Sequence, residues 1–140
     1  STSDYNFCST IFHKNLPGPN TNLVGLTELA ITQGLLFATD TSKFIKQSNI
    51  GEKNKEKQNL YAICIADYDI IINYYIEAFR SFELGDKDTV LDDLTRAQRY
   101  DNDCDRVFAG FAVPLLHTKN IQVLNLMRMG FLATLFLKEQ

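Results

Sequence analysis

The residues of this 140-residue chain that could do chemistry are three cysteines, two histidines and a dense run of aspartates. Cys8, Cys64 and Cys104 form no C-x-x-C pair, and His13 and His117 stand far from them in sequence. A zinc site therefore lacks its ligand spacing. A histidine-based catalytic centre needs a nucleophile or an acid within hydrogen-bond reach. His13 lies beside the loop Leu16-Pro17-Gly18-Pro19-Asn20 and His117 just past Pro114, and no serine or cysteine is recognisably paired with either. Both are read as surface or packing residues. The aspartates Asp86, Asp88, Asp92, Asp93, Asp101, Asp103 and Asp105 could suggest glycosidase carboxylates or a hard-cation site. They do not follow the calcium-loop pattern, and Lys87, Arg96, Arg99 and Arg106 interleave them. Asp92 with Arg96, and Arg99 with Asp103, have the spacing of solvent-side ion pairs on a helix. The cluster is read as a solvated face, and the chain as a non-enzyme with neither metal nor cofactor.

The elements that position these residues are helical. From Asn22 to about Ile50, Leu23, Leu26, Ala30, Phe37 and Phe44 recur at roughly helical spacing, with Thr21 or Asn22 available as a cap and Gly51 at the end. Leu60, Cys64, Tyr68, Ile71, Tyr75, Ala78 and Phe82 form a sustained stripe, which outweighs the strand-like run Ile70-Ile71-Ile72. Gly85 then supplies a helix-ending position, and Thr89 with Asp92 resembles a capping pair. Val90, Leu94, Ala97, Cys104 and Phe108 make the next stripe, interrupted by Asp101 and ended by Pro114. A last helix is expected from about Asn120 to Lys138, with Leu124, Met127, Phe131 and Leu135 on one side. Four long helices with short links imply an all-α, antiparallel up-down-up-down bundle. Residues 1–20 are a short N-terminal extension and 21–140 the bundle of a single domain.

Gly85 follows Cys64 by 21 residues and precedes Cys104 by 19. A hairpin folded at that glycine puts both cysteines about 30 Å from the turn, on facing apolar stripes. That geometry permits a Cys64–Cys104 disulfide; two separate buried thiols are the alternative. The bridge implies an oxidising compartment, extracellular or vacuolar. The odd cysteine, Cys8, then has its partner upstream of the chain.

Other classes are disfavoured by composition. A net charge of −3 without a Lys/Arg block is no phosphate track for nucleic acid. The most apolar stretch, Ile121 to Leu137, carries Arg128 at its middle and is a poor membrane span. The start Ser1-Thr2-Ser3 suits a processed form. Tyr61, Tyr68, Tyr74, Tyr75, Phe79 and Phe82 lie all round one helix, so most are core and some face outward. Tyr61 and Tyr74 are the candidate interface anchors. A small-ligand or lipid carrier is the competing class, and it requires an apolar cavity among the helices.

Cys64 followed by Tyr68-Asp69, Gly85-Asp86, Leu94 and Ala97, Cys104 with Phe108, Pro114-Leu115 and a leucine-rich last helix resembles the plant invertase and pectin methylesterase inhibitor family. Tyr5-Asn6-Phe7-Cys8 is similar to the end of that family's N-terminal helical hairpin, truncated here, whose first cysteine would fall before Ser1. The resemblance implies a proteinaceous inhibitor, secreted to the cell wall or vacuole, that blocks the cleft of a carbohydrate enzyme. Pectin methylesterase is the favoured target and invertase the alternative. Many invertase inhibitors carry Pro-Lys-Phe just after the Gly-Asp turn, where this chain has Lys87-Asp88-Thr89. Contacts to the target are expected from Tyr61, Tyr74 and the connection Asp86, Lys87, Asp88 and Thr89.

Overall fold

Three of the four described helices begin where a side chain accepts from their free N–H groups. The structure, a computed structural model, describes Phe7, Thr10 and residues 22–140. Helix α1 spans Leu23–Ile50, α2 Lys55–Glu83, α3 Lys87–Val107 and α4 Pro114–Lys138. Asn22, Asn54 and Asp86 cap the first three, their side chains accepting from the N–H groups of Gly25, Lys57 and Thr89 at 2.9, 3.0 and 3.1 Å. The expected Thr89–Asp92 capping pair is thus replaced by Asp86, three residues earlier. Pro114 occupies the first turn of α4, where a missing N–H costs nothing. The last helix therefore starts six residues before the expected Asn120: Pro114 opens it as well as ending the preceding run.

The helices contact one another in the closed order α1–α2–α3–α4–α1, the antiparallel up-down-up-down bundle that the short links imply. The stripe on α2 is buried as its period predicts, with Cys64, Tyr68, Ile71, Tyr75 and Ala78 fully enclosed. On α1 the expected large residues Leu23, Leu26, Phe37 and Phe44 are only half-buried. Of the expected stripe Ala30 does reach the core, and the rest of the face pressed into it is Thr27, Ile31, Gly34, Ala38, Thr41, Ser42 and Ile45. The reason is steric: a Cβ on Gly34 would sit 2.4 Å from the Tyr75 ring, so that large side chain requires a small residue opposite. On α4 the buried face runs through Leu116, Val123, Leu126 and Met127, while Leu124, Phe131 and Leu135 flank it. Helix α4 is long and apolar enough to cross a membrane, yet it packs between α1 and α3. Of the N-terminal extension, the Phe7 ring meets Phe37 on α1 edge-on at 5.8 Å; Cys8, His13 and Thr21 lie outside the described residues.

Candidate functional site

The α2–α3 hairpin is closed at both ends. At one end Gly85, with φ of +76°, adopts the left-handed conformation that terminates a helix. The Gly85 N–H donates to the Phe82 carbonyl at 3.0 Å and the Asp86 N–H to that of Ser81 at 2.8 Å. Asp86 therefore ends α2 with its backbone and begins α3 with its side chain. Hydrogen bonds from Thr89 to this carboxylate keep Asp86 below the usual carboxylate range. At the other end Cys64 and Cys104 are disulfide-bonded, their Cα atoms 4.7 Å apart and both side chains fully enclosed.

The residues expected to grip a partner divide sharply. Tyr61 does not face outward: it is 4% exposed, with its ring 4.9 Å from that of Phe108. The helix carries it against the end of α3, so it packs rather than presents. Tyr74 is half-buried and held against Tyr100 at 6.1 Å, with part of its ring at the surface. In the turn, the Thr89 hydroxyl donates to Asp86 at 2.6 Å and Asp88 pairs with Lys138 of α4 at 2.5 Å. These side chains are committed within the molecule, with Lys87 half-buried between them.

The aspartate face is less solvated than its composition suggests. Asp92 and Arg96 pair at 3.0 Å as their spacing predicts, but Asp103 pairs with Arg106 at 2.7 Å and not with Arg99. Asp93 and Asp101 are enclosed, 3% and 1% exposed, and Asp67 on α2 is 7% exposed. Each has an Oδ2 atom that meets no donor. Burial, together with a hydrogen bond to Asp103, pushes Asp67 up to about 7, while hydrogen bonds from Asp67 and Arg106 hold Asp103 below its ordinary range. Burial and the charges of Glu77 and Asp92 push Asp93 up to about 7. Burial pushes Asp101 well above its ordinary range. Asp67 and Asp93 escaped sequence reasoning because their residue type argues for exposure. The signal for Asp101 was its place on the apolar stripe of α3.

A second polar group, also unforeseen, ties α2, α3 and α4 beside the disulfide. The Tyr68 hydroxyl donates to Asn120 Oδ1 at 2.6 Å, and Asn120 Nδ2 donates to Asp105 at 3.2 Å. His117 Nδ1 lies 2.8 Å from Asp105 at the surface. The arrangement satisfies a buried tyrosine and places His117 as a surface partner of a carboxylate. Among the described residues no group of three or more His, Cys, Asp or Glu is arranged to hold a metal ion. An open cleft of about 570 Å³ lies along α2 and α3, lined by Asp67, Arg99, Tyr100, Asn102, Asp103 and Arg106.

Solved structures with this arrangement of helices include a pectin methylesterase inhibitor from Arabidopsis thaliana, with a TM-score of 0.81 and 18% identity over 98% of this chain and 97% of that one. The fold is that of the pectin methylesterase inhibitors. A mutant form of such an inhibitor from Arabidopsis aligns with a TM-score of 0.83 and 18% identity, covering 92% of this chain and 87% of that chain. Both neighbours are inhibitors of an enzyme and not enzymes themselves. No family model and no curated protein sequence matches the chain. Within the inhibitor fold the disulfide and the Gly85 turn make α2 and α3 the most constrained pair of helices.

Proposed function

We propose that this chain is a secreted inhibitor that binds over the substrate cleft of a pectin methylesterase. The observation that carries the reading is likeness to the pectin methylesterase inhibitor fold across nearly the whole of both chains. The disulfide supports an oxidising compartment, the apoplast or the vacuole. The contact surface we favour is the outer side of α2. Ile63 and Ile70 stand two turns apart there, 41% and 36% exposed, with Tyr74 beside them toward α3. Apolar side chains on a helix that cannot splay from its neighbour suit a contact burying roughly 1,000 Å² or more. The turn Asp86–Thr89 contributes less, because its side chains are occupied internally.

The deciding assay adds the folded protein to purified pectin methylesterase and, separately, to acid invertase, at acidic and neutral pH. Stoichiometric loss of esterase activity with invertase unaffected is the expected outcome. Loss of neither activity would overturn the inhibitor reading, and loss of invertase activity alone would reassign the target. Ile70→Asp should weaken inhibition by about tenfold or more, the effect of burying an unpaired charge. A far-UV spectrum unchanged from the parent would locate that loss at the interface.

A further inference from the structure

We propose, resting on the inhibitor reading, that the paired outer surface of α2 and α3 takes a protein presenting an acidic side chain beside an apolar patch, and that Arg99 receives the carboxylate. The first observation is a register. Ile63, Asp67, Ile70 and Tyr74 step along α2 by four, three and four, which sets them in one row. Arg96, Arg99, Asp103 and Arg106 step along α3 by three, four and three, a second row. The rows face each other across the cleft: Asp67 is hydrogen-bonded to Asp103, and the Tyr74 ring lies 6.1 Å from that of Tyr100. The exposed isoleucines of one helix therefore run beside the guanidinium groups of the next, at the roughly 8–10 Å spacing of packed helices.

The second observation is which of those charges remain unspent. Arg96 is held by Asp92 at 3.0 Å and Arg106 by Asp103 at 2.7 Å. Arg99 is exposed and, among the described residues, meets no carboxylate. At the floor of the cleft Asp67 is 7% exposed and already bonded to Asp103, so recognition falls to the two walls. A guanidinium beside an apolar patch is a favoured interface residue, and it matches a carboxylate through two parallel hydrogen bonds. A partner with a lysine or arginine at that place would meet Arg99 with like charge, so the same residue excludes it. The third observation is length. From Ile63 to Tyr74 the row on α2 runs about 16 Å, with Ile63 and Ile70 exposed along it. That is the scale of a protein contact of roughly 800 Å² a side.

The test is inhibition of a purified pectin methylesterase, with association rates, by the disulfide-intact chain and its variants. The pH is about 6, where exposed carboxylates are ionised, and the salt is varied between about 0.05 and 0.3 M. Arg99→Glu should weaken inhibition by about tenfold or more, chiefly by slowing association. Arg99→Ala should weaken it less and reduce its dependence on salt, and Arg99→Lys, which keeps the charge, should retain more than Arg99→Ala. Lys43→Glu makes the same change of charge at an exposed position on α1, which does not contact α3. It should leave inhibition within about twofold of the parent. Arg99→Glu inhibiting as strongly as the parent, or no more weakly than Lys43→Glu, would overturn the proposal and leave the inhibitor reading standing. A parent chain that inhibits no esterase would remove both.

Discussion

Single residues decide how the interior of this bundle is closed. Asn120 is the clearest case, because it accepts from the buried Tyr68 hydroxyl while donating to Asp105. Asn120→Leu takes from that hydroxyl its acceptor at 2.6 Å. It should cost about 1–3 kcal/mol in urea unfolding, the penalty for an unsatisfied buried donor. Adding Tyr68→Phe should restore part of the loss, since removing both partners costs less than removing one. A double variant no more stable than Asn120→Leu would show that packing and not the hydrogen bond holds Asn120 in place. Gly34 works by volume alone: Tyr75 occupies the space any larger residue would need.

At the scale of elements, the α2–α3 hairpin rests on a cap and a covalent bridge. Asp86→Ala removes the acceptor for the Thr89 N–H and should lower stability by about 1 kcal/mol. Replacing Cys64 and Cys104 with serine reopens a loop with a sequence separation of 40. The chain-entropy argument puts that loss at about 4 kcal/mol, a fall in Tm of more than about 10 °C by calorimetry. An unaltered melt would remove the bridge from the account of stability. This hairpin was legible from sequence because large apolar residues repeat strictly along α2, and because the distances from Gly85 set both cysteines at one height. Helix α1 was read correctly at Ala30 but with the rest of its face turned, since Thr27, Gly34 and Thr41 carry little hydrophobic signal although they are what the core presses on. Tyr61 was misplaced because residue type and period do not tell which of several aromatics the end of α3 will cover. Asp103 was paired with the wrong arginine for a related reason: its choice of Arg106 over Arg99 is a rotamer choice that spacing alone does not fix.

For the whole molecule, the enclosed acids set how stability follows pH. Asp67 and Asp93 rise from 3.8 to about 7 on folding. Between those values the folded chain holds protons that the unfolded chain has released, so stability falls as pH rises. Their contribution is complete below about pH 4 and lost above about pH 7. Glu52, Asp86 and Asp103 are shifted downward and act in the opposite sense, but only as pH falls through the range below their ordinary values. Tm should therefore be several degrees higher at about pH 5 than at about pH 8. Asp93→Asn, which cannot ionise, should flatten that profile. A Tm that climbs from pH 5 to pH 8 would contradict the burial of these carboxyl groups. An acidic wall is the setting in which such a protein would be most robust.

The connection at Gly85 is also the place where a protease would first find the hairpin, with Leu84 84% exposed beside it and Lys87 just beyond. A cut there would divide the 140 residues into pieces of about 85 and 55. The Cys64–Cys104 bridge lies at the opposite end of the same pair of helices, so the pieces would remain one molecule until reduced. A nicked chain should thus migrate as a single band without reductant and as two with it. It can keep its outer α2 surface in place after this turn has been severed.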